Sequence, residues 1–126
     1  VDRKKNIIRR SGENIAAVEV ESMLNRHPKI KAVAVCGVPD PLRGDEVFAC
    51  VVTDGPKDGL AHDIATWALD QMAYYKVPGY IAFVDALPLT TTQKIQRKEL
   101  QNLALDLLER DEFTSLIHLK KRQVNT

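Results

Sequence analysis

The runs Ile30-Lys31-Ala32-Val33-Ala34-Val35-Cys36-Gly37-Val38 and Val47-Phe48-Ala49-Cys50-Val51-Val52-Thr53 decide the fold. Both are dense in valine and alanine, with hardly a polar side chain to interrupt them. A strand with one wet face alternates; a nearly continuous apolar run reads as a strand covered on both faces. Between the two runs lies Pro39-Asp40-Pro41-Leu42-Arg43-Gly44-Asp45, whose two prolines and glycine read as a fixed loop. Asp54 to Gly59 reads as a second loop, rich in Gly, Pro, Asp and Lys.

Toward the N-terminus, Asn6 to Arg10 forms a short strand-like run. Ser11-Gly12-Glu13-Asn14 then turns the chain, with Gly12 able to take a positive φ, and Ile15 to Ala17 returns. A helix is predicted from Ala17 to His27. Val20, Met23, Leu24 and His27 recur at helical spacing and mark its buried face, and Pro28 closes it. Toward the C-terminus, a second helix is predicted from Ala61 to Tyr75. Its stripe is Ala61, Ile64, Ala65, Ala68 and Met72, with Trp67 at the edge; Val77-Pro78-Gly79 stops it. Tyr80 to Val84 is a third core strand, and Leu87 to Ile95 a hairpin. A last helix starts near Arg97 and buries Leu100, Leu103, Ala104, Leu107 and Leu108. Beyond Arg110 the pattern weakens, and Lys120-Lys121-Arg122 reads as a solvated tail. The expected architecture is α+β: a small sandwich with a mixed three-stranded sheet packed by helices, plus a short N-terminal β-ribbon.

The 126 residues suffice for one modest domain. A net charge of only +1 gives no electrostatic footprint for nucleic acid or a membrane surface. No apolar run reaches the length of a membrane span, and no secretory leader is visible. Cys36 and Cys50 lie inside the apolar runs and read as buried free thiols, which points to a reducing, cytoplasmic compartment. The opening Val1-Asp2-Arg3-Lys4-Lys5 lacks a methionine, as expected of a piece of a longer chain.

No nucleophile triad or paired carboxylates stand out, and no glycine-rich phosphate loop is present. No cysteine–histidine cluster suggests zinc. His27, on an apolar helix face, reads as structural; His62 sits at the start of the second helix and His118 in the weakly patterned tail. What remains is cations on loops: Arg3, Lys4, Lys5, Arg9 and Arg10 at the first ribbon, Lys76 after the second helix, and Lys94 on the hairpin. A lysine ammonium is a compact charge suited to phosphates. The plainer reading is a set of solvated side chains. Lys94 is the sharpest of them. It follows Pro88-Leu89-Thr90-Thr91-Thr92-Gln93 and precedes Ile95, a pattern that holds a lysine on a tight hairpin from which it can reach another surface.

Several ordered stretches resemble one family. Asp2-Arg3-Lys4-Lys5-Asn6-Ile7-Ile8-Arg9-Arg10-Ser11-Gly12-Glu13-Asn14-Ile15 is similar to the hinge motif of the AMP-forming acyl-CoA synthetases. Val18-Glu19-Val20-Glu21 with His27-Pro28, Gly37-Val38-Pro39-Asp40 with Gly44 and Glu46, and Tyr75-Lys76-Val77-Pro78 follow in the family's order. Leu87-Pro88 through Lys94-Ile95 to Arg97-Lys98-Glu99-Leu100 resembles its terminal catalytic motif. The matched region is the small C-terminal domain of these enzymes, here residues 1–110 with a hinge at about 3–6; residues 111–126 are unassigned.

The resemblance implies an ATP-dependent ligase acting in two steps. A carboxylic acid is adenylated with release of pyrophosphate, and coenzyme A then displaces AMP. The C-terminal domain swings on its hinge between the steps. Lys94 would supply the adenylation charge, with Mg²⁺ beside the leaving pyrophosphate. Lys5 would be the hinge residue and Arg3 would touch the nucleotide ribose. Ser11, Gly12 and Glu13 would line the coenzyme A tunnel, with Arg43, Tyr75 and Lys76 nearer its nucleotide end. The partner is the N-terminal domain of the same parent chain, which holds the ATP loop and the acyl pocket, so the fragment alone would be inactive. Departures are visible: Gln93 stands where most members have glycine, Asn6 replaces a common aspartate, and Val77 replaces an arginine of some members. The opening is similar to the carnitine and crotonobetaine ligase branch. The alternatives are a peptide-synthetase or luciferase-like member of the superfamily, or a non-catalytic interaction module.

Overall fold

The computed structural model describes residues 7–41 and 44–119. The strands and helices run in the order β1 Ile7–Arg10, β2 Glu13–Ala16, α1 Ala17–Leu24, β3 Ala32–Asp40, β4 Gly44–Val52, α2 Leu60–Gln71, β5 Tyr80–Phe83, α3 Arg97–Glu109 and β6 Thr114–Ser115. The α+β class expected from the sequence is what forms.

The two apolar runs pair antiparallel along their whole length, from Ala32 opposite Val52 to Asp40 opposite Gly44. The loop read between them is shorter than expected, because the ladder continues through Pro39 opposite Asp45. Proline has no N–H to give a ladder. It is accommodated because β3 pairs with β4 alone and so lies at an edge. β5 joins β4 in parallel, with Phe48 opposite Tyr80 and Val51 opposite Phe83. This makes the mixed three-stranded centre. The N-terminal ribbon β1–β2 is joined to it through Arg10 opposite Gly44, and β6 extends the far side to give six strands.

Alternation along β3 and β4 then explains why both runs are apolar throughout. Val33, Val35, Val47, Ala49 and Val51 face one core with α1 and α2, including Val20, Leu24, Ile64 and Ala68. Ala34, Cys36, Val38, Phe48 and Cys50 face a second core with Leu100, Ala104 and Leu107 of α3. Each face of β4 is thus removed from water, and Val47 through Val51 are fully buried.

Two helix ends differ from expectation. α1 stops at Leu24 rather than His27; the next residues tighten into three-residue turns, with Arg26 N–H on Met23 O and His27 N–H on Leu24 O. A following proline disfavours the helical conformation at His27. α2 stops at Gln71 rather than Tyr75. Met72 is extended (φ −149°, ψ 169°), and a single 3-10 turn follows at Tyr74–Lys76. The segment past Arg110, where the sequence pattern weakens, packs onto the sheet as far as Leu119. β6 pairs Ser115 with Tyr80, Leu116 N–H donates to Gly79 O at 2.7 Å, and Leu116 is 1% exposed. The Lys120-Lys121-Arg122 stretch lies outside the described residues.

Candidate functional site

Lys94 sits on an exposed hairpin between β5 and α3, and its side chain is open to solvent. Leu89 bridges Ile95, and Gln96 N–H closes on Pro88 O at 2.8 Å. Inside that bridge Thr90 N–H donates to Lys94 O (2.8 Å), and Gln93 N–H donates to Thr90 O (3.0 Å). The loop is therefore three residues long, a turn followed by one residue in the left-handed region. That residue is Gln93, at φ 67°. Three-residue hairpins of this kind ask for glycine at that position. Gln93 therefore adopts the conformation that glycine takes most readily. Among the described residues the N–H of Lys94 makes no backbone hydrogen bond across the hairpin. It donates instead to Thr90 Oγ1 at 3.1 Å, and that hydroxyl also contacts Thr92 Oγ1 at 3.0 Å. Among the described residues no ion pair reaches the Lys94 ammonium.

Ser11 and Gly12 form the two-residue turn of the β1–β2 hairpin, between the paired Arg10 and Glu13. Both have positive φ, 51° and 84°. This is the turn whose twist suits paired strands, and it explains glycine at the second position. A Cβ on Gly12 would meet nothing within 4 Å. Backbone conformation, rather than crowding inside this domain, therefore selects glycine there. Ser11, Gly12 and Glu13 are all exposed.

The turn stands on a buried ion pair. Arg10 Nε donates to Glu46 Oε1 at 2.8 Å, and the side chains are 4% and 0% exposed. Glu46 Oε2 accepts Val47 N–H at 2.8 Å. Glycine at 79 leaves room for the carboxylate: a Cβ there would lie 2.6 Å from the Glu46 carboxyl carbon. Tyr74 places its ring 6.0 Å from the Arg10 guanidinium carbon.

A second charge cluster anchors α3, and with it the base of the Lys94 hairpin. Arg97, the first residue of α3, grips Glu21 of α1 through two parallel hydrogen bonds, Nη1 to Oε2 (2.8 Å) and Nη2 to Oε1 (2.9 Å). Glu21 Oε2 also accepts Val35 N–H at 2.7 Å, and Arg97 Nη1 donates to Val35 O at 3.2 Å. Gln101 Nε2 adds a bond to Gly37 O at 2.8 Å. Side chains from two helices thus satisfy the open edge of β3, which would otherwise invite pairing with another strand. A cleft lined by Ile8, Val35, Gly37, Asp45, Arg97 and Gln101 runs beside this cluster.

The remaining expected contacts are placed as follows. Tyr75 packs against the larger core and is half-buried. Lys76 Nζ pairs with Glu19 at 3.1 Å. Lys94 and the Ser11–Glu13 turn occupy two different hairpins, one before α3 and one between β1 and β2. Arg3, Lys5 and Arg43, expected at the ribose, the hinge and coenzyme A, lie outside the described residues. His27 is structural: its Nδ1 accepts Lys29 N–H at 3.1 Å and its ring meets Trp67 edge-on at 5.1 Å. Burial and then Lys29 lower its pKa below the ordinary value, against a smaller opposing pull from Asp63. Cys36 and Cys50 are free and buried; burial pushes each thiol up to about 12.

The sequence reading gave no role to Thr90, Glu46 or Glu21. Glu21 carried a signal. The buried face of α1 is Ala17, Val20, Glu21 and Leu24, so an acid occupies a position where helical spacing asks for an apolar residue. Buried acids are paired. Nothing local marks Glu46 as buried: it follows Gly44 and Asp45 at the start of β4, and its partner is 36 positions away.

Residues 19–94 match the AMP-binding enzyme C-terminal domain family, and the chain belongs to that family. It is 42% identical over 99 residues to the mitochondrial medium-chain acyl-CoA ligase ACSF2 of Danio rerio, a match covering 79% of this chain and 16% of that protein. It is 37% identical over 101 residues to a crotonobetaine/carnitine–CoA ligase of Salmonella arizonae, covering 80% of this chain and 20% of the relative. Among solved structures, an acyl-CoA synthetase of Brucella canis superposes with a TM-score of 0.76 at 35% identity, over 84% of this chain and 20% of that one. An anthranilate CoA ligase in complex with anthranoyl-AMP superposes at 0.73 with 36% identity, over 80% and 20%. The chain therefore spans between a sixth and a fifth of the length of these relatives. No helix among the described residues is long and apolar enough to cross a membrane.

Proposed function

We infer that this chain is the mobile C-terminal domain of an ATP-dependent, AMP-forming acyl-CoA ligase, and that Lys94 is its adenylation residue. The observation that carries this reading is an exposed lysine, without an ion pair among the described residues, at the end of a hairpin clamped by backbone hydrogen bonds. A rigid hairpin brings a charge to a fixed place on a partner surface. When an acid attacks the α-phosphorus of ATP, an anionic carboxylate must meet an anionic phosphate, and negative charge gathers on the phosphate oxygens and the departing pyrophosphate. An ammonium delivered between carboxylate and phosphate neutralises both without reorganising at the moment of reaction.

The partner is the larger N-terminal part of the same parent chain, which supplies the acyl pocket and most of the ATP site. Relatives named for medium-chain acids, for crotonobetaine or carnitine, and for anthranilate carry similar domains. The acid is therefore chosen outside this domain. Mg²⁺ supplies charge at the leaving pyrophosphate. In this reading the ion is held with the nucleotide and the larger domain. After adenylation the domain turns on its hinge at Lys5, with Arg3 leaving the ribose. The Ser11–Gly12–Glu13 turn then meets the pantetheine arm of coenzyme A. Its positive-φ backbone projects a narrow, side-chain-poor tip. Tyr75, Lys76 and Arg43 lie toward the nucleotide end of coenzyme A in this reading, although Lys76 must exchange Glu19 for a phosphate to contribute.

Lys94→Ala in the full-length parent tests the assignment. Acid-dependent pyrophosphate exchange is expected to fall about a hundredfold or more. Thioester formation from a supplied acyl-adenylate should stay within a few-fold of wild type. Equal loss in both half-reactions would remove Lys94 from the role.

A further inference from the structure

The geometry points to Thr90 as a positioning residue for adenylation, acting through its hydroxyl on the backbone of Lys94. The inference rests on the reading of Lys94 given above. Across this hairpin the N–H of the residue after the left-handed position makes no hydrogen bond to a carbonyl among the described residues. Here that N–H belongs to the lysine, and Thr90 Oγ1 accepts it at 3.1 Å. The N–H of the same threonine holds the carbonyl of the lysine at 2.8 Å. Thr90 therefore fixes Lys94 on both sides of its Cα, and the direction in which the side chain departs follows from those two bonds.

The hydroxyl matters because the tip of the hairpin is exposed. Thr91, Thr92, Gln93 and Lys94 are all open to solvent, and no apolar packing holds the tip. Gln93 adds a bias the other way, since a residue other than glycine at φ 67° stores strain that a looser hairpin would release. Without Oγ1, water competes for the lysine N–H and the tip samples other turns. The ammonium lies at the end of a long side chain, so a small rotation at its Cα displaces it by an ångström or more. Displacement on that scale can cost up to about a hundredfold in a reaction that depends on alignment.

Thr90→Val and Thr90→Ser in the full-length enzyme separate this from a structural role. Valine keeps the branched shape and the backbone N–H and loses only the hydroxyl; serine keeps the hydroxyl. The expected result for Thr90→Val is a roughly tenfold fall in kcat for pyrophosphate exchange, with KM for ATP and acid within about twofold. Thioester formation from a supplied acyl-adenylate should be unchanged, and Thr90→Ser should recover adenylation to within about twofold. The proposal is overturned if valine matches wild type while Lys94→Ala abolishes adenylation; the reading of Lys94 then survives alone. It is also overturned if valine slows both half-reactions equally, or if serine fails to restore the rate. If Lys94→Ala leaves adenylation intact, both fall together.

Discussion

Single residues in this domain are chosen by two different constraints on the backbone, conformation and space. Gly12 and Gln93 both take left-handed backbone on two different hairpins, at φ 84° and 67°, yet only one is glycine. A left-handed residue other than glycine costs on the order of 1 kcal/mol, a penalty that one exposed turn can absorb. Gly79 answers to space instead. Its Cβ would meet three atoms of the Glu46 side chain at 2.6–2.8 Å. That carboxylate cannot step aside cheaply, because Arg10 and the N–H of Val47 hold both oxygens in a place without solvent. Gly79→Ala is expected to displace Glu46 from one or both partners and to destabilise the chain by about 3 kcal/mol. Urea unfolding measures it; a loss below about 1 kcal/mol would mean the pair relaxes without breaking.

At the scale of elements, the strands were legible in the sequence because β3 and β4 announce burial on both faces through unbroken valine and alanine. The stripes of α2 and α3 were legible for the same reason, with Ala61, Ile64, Ala65 and Ala68 buried as spaced, and likewise Leu100, Ala104 and Leu107. The sixth strand was not legible. β6 is two residues long, Thr114 and Ser115, both exposed and neither a strong strand signal by itself. Its place is set by tertiary packing: Phe113 meets Tyr80 edge-on at 5.1 Å on one side, and Leu116 enters the larger core on the other. No periodicity can display a contact made by single residues that alternate between two cores. Leu116→Ala tests the weight of this segment. A leucine side chain at 1% exposure, truncated to a methyl, should cost about 2–5 kcal/mol. Thermal unfolding at matched concentration would show it, and a shift of less than a degree or two would return the segment to the status of a passive tail.

For the molecule as a whole, the candidate site is legible only where a loop residue has a distinctive neighbourhood in sequence. The hairpin that carries Lys94 was legible because its residues are local in sequence. Its supports were not, because Glu21 and Arg97 are 76 positions apart and meet only when α1 and α3 pack around the edge of β3. The same packing buries the two cysteines in the smaller core, on neighbouring strands where Ala34 faces Cys50 and Cys36 faces Phe48. Burial raises both thiols from an ordinary value near 9 to about 12, and the nearness of Cys50 adds to the rise at Cys36. The consequence for stability has a definite sign. Between about 9 and 12 the unfolded chain gives up thiol protons that the folded chain keeps, so the unfolded state binds fewer protons and is favoured as pH rises. The stabilisation is fully present below pH 9 and is lost progressively above it. Each thiol contributes a slope approaching about 1.4 kcal/mol per pH unit inside that window. Lysine and tyrosine titrate in the same range, so the measurement is a difference. Urea unfolding between pH 8 and 10.5 should show the wild-type chain losing stability more steeply than the Cys36→Ala/Cys50→Ala variant, whatever the variant loses at neutral pH by cavity formation. Parallel slopes would mean that the thiols ionise within the folded sheet, and that the core around β3 and β4 opens without the molecule unfolding.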